Sequence, residues 1–465
     1  MQRKTKIIAT VGPSSESENQ IANLIKAGVN CFRINLSHGK EEKYTQQIKL
    51  IQKMRKKLDK NVAIMVDTRG PEIRVKKFAD GKALLKKSQT FVFTSETVEG
   101  DSTRVSITEP IAITNAKIGK IVLADDGRIK FKITDKTPTE LICKVVCGGE
   151  LKDNKGLCFQ GQYFPLEFVG EKDRYDLEKT IALGVDYISA SFVNSKKDLE
   201  EIKQFCLAQD PTLKFIAKIE SQKAMENLDE ILENSDGIMV ARGDLGVEMN
   251  FDMLPILQRK LIERARQEKK LCIVATEMLE SMIRENRPTR AEISDVAGAV
   301  FQGANAVMLS GETAVGVNPV LCVQAMSKII LSAEKNLNYK SLFEKHSQNP
   351  TNCNDLILQT GVGAGFNLKC KAIVSYTSKG ANAMRLSTMS SIVPIVAITN
   401  SHRTFNQLAL CSNCIAVYSK EPDDIFRCAS HTVKNLKIAQ TGDLIIVTTG
   451  NTDKIANVLK FEIID

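Results

Sequence analysis

The chain has 465 residues, 43% hydrophobic and 26% charged, with a formal net charge of +9 at pH 7. That length exceeds one compact core and predicts two to four domains, and no apolar run reaches the roughly 18 residues of a membrane span. The positive charge suits anionic ligands. The lysines, however, are spread along the chain, and clusters such as Lys53-Met54-Arg55-Lys56-Lys57 read as the solvated face of a helix rather than a nucleic-acid surface. Twelve cysteines lack zinc-site spacing, since Cys411 and Cys414 have no second pair or histidine cluster, so reduced thiols in a cytoplasmic protein are expected. The run after Met1-Gln2-Arg3-Lys4-Thr5-Lys6 is strand-like at once, which predicts no signal or transit peptide.

In chain order, short apolar runs alternate with amphipathic stretches. Lys6–Val11 predicts a strand, Glu18–Ala27 a helix closed by Gly28, Val29–Leu36 a strand, Glu41–Leu58 a long helix and Val62–Val66 a third strand. The rhythm breaks at Gly70-Pro71. From about Glu72 to Lys155 the pattern has period two, as in Phe91-Val92-Phe93-Thr94, with a turn at Asp125-Asp126-Gly127. It resumes with helix Glu171–Leu183, strand Tyr187–Phe192, helix Lys197–Ala208, strand Phe215–Ile219, helix Ala224–Leu232 and strand Gly237–Val240. Helix Leu257–Lys269, strand Cys272–Ala275, helix Arg290–Phe301, strand Ala306–Leu309 and helix Pro319–Glu334 follow.

Eight strand–helix units with one interruption predict an α/β fold, a (β/α)8 TIM barrel carrying a small β-barrel domain inserted after the third strand. Beyond Leu337-Asn338-Tyr339 a second α/β rhythm, with strands Ala372–Ser375, Ile395–Ile398, Ile415–Val417 and Leu444–Val447, predicts a C-terminal α/β domain. The expected division is 1–71 and 158–338 for the barrel, 72–157 for the inserted domain acting as a lid, and 339–465 for the C-terminal domain.

Such a barrel places its site at the C-terminal strand ends. Arg33, Asn35 and Ser37 are spaced by two near the end of the second strand, which predicts one shared side. Asp67 and Thr68 end the third strand, Ser191 the fourth, and Lys218 and Glu220 the fifth. Asp244 follows the sixth after Arg242-Gly243, Thr276 the seventh, and Ser310 and Glu312 the eighth. A single aspartate there is as readily a cap or turn residue. Lys218, flanked by Ile216-Ala217 and Ile219, points to function, because lysine is rarely buried unpaired. Glu220 and Asp244 either bridge to Lys218 or suit Mg²⁺, which binds through one or two carboxylates plus substrate phosphate. The spacing leaves both open and makes a phosphate-handling site the leading idea.

Seven motifs then resemble pyruvate kinases, in order along the chain. They are Lys4-Thr5-Lys6-Ile7-Ile8-Ala9-Thr10-Val11-Gly12-Pro13-Ser14-Ser15, Phe32-Arg33-Ile34-Asn35-Leu36-Ser37-His38-Gly39 and Asp67-Thr68-Arg69-Gly70-Pro71-Glu72-Ile73-Arg74. Ile216-Ala217-Lys218-Ile219-Glu220-Ser221, the run Asp236 to Glu248, Arg287-Pro288-Thr289-Arg290-Ala291-Glu292 and Met308-Leu309-Ser310-Gly311-Glu312-Thr313-Ala314 complete the set. The resemblance implies phosphoryl transfer from phosphoenolpyruvate to ADP, giving pyruvate and ATP in glycolysis, by a homotetramer with no nucleic-acid or membrane partner.

By the same resemblance Glu220 and Asp244 hold Mg²⁺ (or Mn²⁺), and Asn35, Ser37, Asp67 and the Thr68 carbonyl form a K⁺ site, with Glu72 the residue type that accompanies potassium dependence. Arg33 grips the phosphate, Lys218 neutralises charge on the phosphoryl group in flight, and the Gly243 and Asp244 backbone receives the substrate carboxylate. Thr276 lies on the proton path to the enolate. Asn35, His38, Arg74 and Lys155 are implied contacts to the nucleotide, and the strand-end residues Ser191, Ser310 and Glu312 are expected to support the site from behind.

Departures are visible too. Gly156-Leu157-Cys158-Phe159-Gln160-Gly161 stands where the family reads Gly-Val-Asn-Leu-Pro-Gly, Glu277 stands for glutamine, and Val75 for a small polar residue. The loop Thr377-Ser378-Lys379-Gly380-Ala381-Asn382-Ala383 lacks its usual final serine, Gly450 to Asn457 is short, and the chain has no tryptophan, which predicts weak or absent activation by fructose bisphosphate. Another Mg²⁺-dependent barrel, a lyase or mutase, gives no reason for the nucleotide and potassium residues. An inactive homologue serving as scaffold or RNA-binding protein is at odds with the retained Lys218, Arg33 and carboxylates.

Overall fold

A computed structural model describes residues 3–347, 350, 352–420, 424–450 and 458–465. Eight parallel strands close into a barrel in sequence order: β1 (Lys6–Thr10), β2 (Cys31–Asn35), β3 (Ala63–Asp67), β4 (Tyr187–Ala190), β5 (Lys214–Ile219), β6 (Gly237–Ala241), β7 (Leu271–Ala275) and β8 (Ala306–Leu309). β8 pairs with β1 through Lys6↔Ala306 to Ala9↔Leu309. The expected strands are all present.

Helices form where apolar spacing and caps agree. Helix Glu18–Ala27 starts at Ser17, whose side chain accepts from Gln20 N, and stops at Gly28, whose φ of 110° only glycine adopts cheaply. Helix Arg290–Gln302 begins in a capping box of Thr289 and Glu292. One expected helix, Ala224–Leu232, is instead two short ones, Gln222–Glu226 and Leu228–Glu233, because Asn227 departs from helical geometry at φ −101°, ψ 20°.

Strand alternation divides the barrel core. Phe215, Ala217 and Ile219 of β5 pack outward against the helices, whereas Ile216 packs inward with Ala63, Met65, Met239 and Ile273. The period of two therefore aims Lys218, Asp67 and Arg33 into the barrel. Its floor is covered by the C-terminal segment, where Tyr187 Oη donates to Gln407 O at 2.7 Å and Lys6 Nζ to Cys414 O at 3.0 Å.

Between β3 and β4 a seven-stranded sheet is inserted, from Ile73–Arg74 at one end to Arg104–Ser106 at the other. The sheet rolls until its ends meet: Val75 bridges Ile107, Lys76 N donates to Ser106 O and Thr108 N to Arg74 O. Val75 is fully buried in this closure, where a polar residue would go unpaired. The Asp125-Asp126-Gly127 turn joins Ile121–Ala124 to Ile129–Lys136 as an antiparallel hairpin.

The C-terminal sheet has strands Cys414–Tyr418, Ile395–Thr399, Ile373–Tyr376, Leu444–Thr449 and Val458–Ile463, in that order. The last, antiparallel to its neighbour, was not foreseen from the sequence. Residues 451–457 of the short loop lie outside the described residues. All twelve cysteines are free, and no described helix is long and apolar enough to cross a membrane.

Candidate active site

The barrel mouth gathers most of the polar strand-end residues around one ammonium group. Lys218 Nζ lies 2.8 Å from Glu220 Oε1, 3.4 Å from Asp67 Oδ2 and 2.9 Å from Ser191 Oγ. Arg33 Nη2 meets the same Asp67 oxygen at 2.5 Å, and Arg33 Nη1 donates to Thr10 Oγ1 at 3.3 Å. Asp67 is also the register partner of Asn35, so these two oxygen-bearing side chains share one face. Ser191 closes the group: its Oγ donates to Thr68 O at 2.7 Å and its N to Thr68 Oγ1 at 3.0 Å.

Burial drives the protonation of these groups. It pushes Asp67 up, but Arg33 and Lys218 outweigh it and hold the carboxyl at about 2. Burial pulls Lys218 down, and Asp67 and Glu220 more than reverse that, so its ammonium stays charged above the usual lysine range. Glu220 is raised by burial, with Lys218 offsetting part of the rise and Asp244 adding to it. Two cations already serve Asp67, so Glu220 is the carboxylate whose ionisation gains most from a further cation.

The oxygens left over fit cations. Asp67 Oδ1 and Glu220 Oε1 are buried without a hydrogen bond, the latter despite its closeness to Lys218. Glu220 Oε2 accepts from Phe192 N at 2.6 Å, and Asp244 stands exposed in the first turn of helix Arg242–Glu248. Among the described residues no three His, Cys, Asp or Glu side chains converge as a metal cage. Two carboxylates with substrate and water completing the shell are the Mg²⁺ pattern.

Thr276 and Glu277 both lie in the left-handed region, at φ 67° and 52°, a costly geometry held by its neighbours. Thr276 Oγ1 accepts from Gly243 N at 2.8 Å and donates to Ala275 O at 2.6 Å. Arg242, which sequence reasoning passed over, clamps this turn: Nη2 donates to Thr276 O at 2.5 Å while Nη1 pairs with Asp295 at 2.6 Å. Its signal was a cation directly after the apolar strand Gly237–Ala241. Glu312 is fully buried and accepts from Leu279 N at 2.9 Å and Ser310 N at 2.7 Å.

Other expected residues stand apart from the Lys218 cluster. Ser37 does not continue the alternation of β2. The chain turns into the 3-10 segment Leu36–His38, capped by Asn35 Oδ1 accepting from Ser37 N at 3.0 Å, so a 3-10 turn rather than strand alternation places Ser37. The side chain of His38 lies outside the described residues. Arg74 binds Glu72 through two nitrogens, at 2.9 and 2.5 Å, and Lys155 pairs with Asp125 at 2.6 Å, all on the inserted sheet or its base. A cavity of about 330 Å³ separates that sheet from the mouth, reaching Glu72, Glu220, Asp244 and Phe192.

Comparison with known proteins agrees with this geometry. The profile of the pyruvate kinase barrel domain matches residues 2–323, and that of the pyruvate kinase alpha/beta domain matches residues 355–460. A pyruvate kinase of Clostridium perfringens is 39% identical over 471 residues, covering 99% of both chains. One of Geobacillus stearothermophilus is 38% identical over 460 residues, covering 97% of this chain and 78% of its own. The crystal structure of a pyruvate kinase from Cryptosporidium parvum superposes with a TM-score of 0.94 at 31% identity, covering 100% of this chain and 96% of that one. The barrel, its inserted sheet and its C-terminal sheet are thus those of a phosphotransferase, and the chain belongs to the pyruvate kinase family.

Proposed function

We propose that this chain transfers the phosphoryl group of phosphoenolpyruvate to ADP, giving pyruvate and ATP, with the Lys218 cluster as its chemical centre. The observation that carries the reading is a buried, charged Lys218 held between Asp67 and Glu220, with Arg33 on the same aspartate. Phosphoryl transfer needs positioning and fixed positive charge more than covalent help.

Arg33 binds phosphate oxygens with the donors that Asp67 leaves free. Lys218 neutralises the phosphoryl oxygens in flight. The Gly243 and Asp244 backbone, in the first turn of its helix, would receive the substrate carboxylate through the Asp244 N–H, since Gly243 N already donates to Thr276 Oγ1. Loss of the phosphoryl group leaves an enolate whose carbon must gain a proton, and the Thr276 hydroxyl, fixed by Gly243 N and Ala275 O, sits at the start of that path. Arg74, Lys155, Asn35 and His38 meet the nucleotide, and the inserted sheet closes over it to exclude water. Glu220 and Asp244 would hold Mg²⁺ or Mn²⁺, and Asn35, Ser37, Asp67 and Thr68 would hold K⁺. When bound, these ions would supply positive charge that favours the anionic transition state.

The reading extends to a cytoplasmic enzyme, supported by twelve free cysteines, and to a homotetramer, supported by exposed Phe251, Ile256, Val317 and Ile463. The test is pyruvate release from phosphoenolpyruvate and ADP, assayed with each cation omitted in turn. Activity that requires a divalent ion and K⁺ is expected. Activity indifferent to K⁺ removes the potassium site, and none under any ion condition removes the function.

A further inference from the structure

Two chain connections join the inserted sheet to the barrel, and each is tied to one carboxylate. On the way out, Arg69 N and Gly70 N donate to the two oxygens of Asp173, both at 2.9 Å. On the way back, the strand Gly156–Phe159 is tied to Glu248: Cys158 Sγ donates to Oε2 at 2.8 Å and Gly161 N to Oε1 at 3.2 Å. Gln160, two residues beyond Cys158, reinforces this by donating its Nε2 to Val247 O at 2.9 Å.

The position of Glu248 gives these bonds their meaning. It is the last residue of helix Arg242–Glu248, whose first turn carries Gly243 and Asp244. One rigid seven-residue element therefore holds substrate- and metal-facing groups at its start and the return strand at its end. Burial, followed by Glu248, pushes the Cys158 thiol up, so it remains an S–H donor to the carboxylate. Cys158 and Gln160 stand where the family pattern has asparagine and proline, and proline has no side-chain amide to reach Val247. None of the three residues touches the atoms that react.

We propose that Cys158, Gln160 and Glu248 form a latch joining the return strand of the inserted sheet to the Asp244 helix, and that the latch sets the fraction of molecules in which the lid is aligned for substrate. The proposal rests on the phosphotransferase reading above and adds to it three positioning residues. A population effect of this kind weakens apparent affinity, in proportion to the lost fraction, and leaves the transfer step intact once substrate saturates.

The test uses the full chain and two readouts. Steady-state KM and kcat for phosphoenolpyruvate are measured for Cys158→Ala, Cys158→Ser and Gln160→Ala, alongside hydrogen–deuterium exchange of the segment around Gly161. In Cys158→Ala and Gln160→Ala, KM is expected to rise about three- to tenfold, the range of one net hydrogen bond, with kcat within about twofold. Exchange at Gly161 quickens in Cys158→Ala, and Cys158→Ser, which can still donate, restores both values. Unchanged KM and exchange in both alanine variants overturn the latch, as does a fall in kcat at constant KM. If the wild-type chain releases no pyruvate, the function reading fails by itself, and the exchange arm still decides whether the latch exists. Should Cys158→Ala not fold, Gln160→Ala at its half-buried position carries the test.

Discussion

Replacing Lys218 by methionine keeps a linear apolar stem and deletes the ammonium. In the wild type that charge lies within 3.4 Å of both Asp67 and Glu220, in a site from which water is largely shut out. A unit charge acting at about 4 Å through an effective dielectric near 20 is worth about 4 kcal/mol. If that charge develops fully only in the transition state, kcat falls about a thousandfold. The stability cost is smaller than the ~3–5 kcal/mol of an orphaned buried charge, because Asp67 keeps Arg33 and Glu220, already raised by burial, takes up a proton. Pyruvate release gives kcat, and urea unfolding of the same preparation separates a folding defect from a chemical one. A folded variant keeping more than about a tenth of kcat would refute the electrostatic role.

Further expectations follow from single groups. Glu312→Ala leaves the N–H groups of Leu279 and Ser310 without an acceptor in a dry site, so stability should fall by about 2–6 kcal/mol in urea titration, at one to three per group. His346 is lowered to about 4 by burial and then by Arg266 and Lys345, so the unfolded chain takes up its proton first as pH falls from 6.5. Stability present above that pH is lost on acidification, by about 1–2 kcal/mol after discounting for solvent, and His346→Gln should flatten unfolding curves between pH 6.5 and 5 relative to wild type. Fructose bisphosphate should shift the phosphoenolpyruvate saturation curve weakly or not at all, because the donors Gly380 N and Thr404 Oγ1 are already given to Thr377 Oγ1 and Ser378 O; a full shift from sigmoidal to hyperbolic kinetics contradicts this.

Much of the architecture is written in local pattern. Period two in β5 sorts Ile216 and Lys218 inward from Ala217 and Ile219, and it picks out the buried lysine without any partner being known. Caps such as Ser17 and Thr289 fix helix starts within a residue. What escaped is non-local. Ser37 follows the 3-10 turn that Asn35 caps, which strand spacing cannot reveal. The left-handed Thr276 depends on Arg242 and Asp295, residues 34 and 19 positions away in the chain. Closure of the inserted sheet joins Val75 to Ile107, and the meeting of Cys158 with Glu248 spans 90 positions. The edge strand Val458–Ile463 has an amphipathic pattern but only its antiparallel partner shows where it belongs.

The most direct test of the account follows phosphorus itself. Phosphoenolpyruvate and ADP are incubated with the chain, Mg²⁺ and K⁺, and ³¹P resonances are recorded over time. The account predicts that the phosphoenolpyruvate signal decays as the γ-phosphate signal of ATP grows in equal amount, and that with Lys218→Met both change about a thousandfold more slowly. Decay into inorganic phosphate, or no change with the wild-type chain, would contradict it.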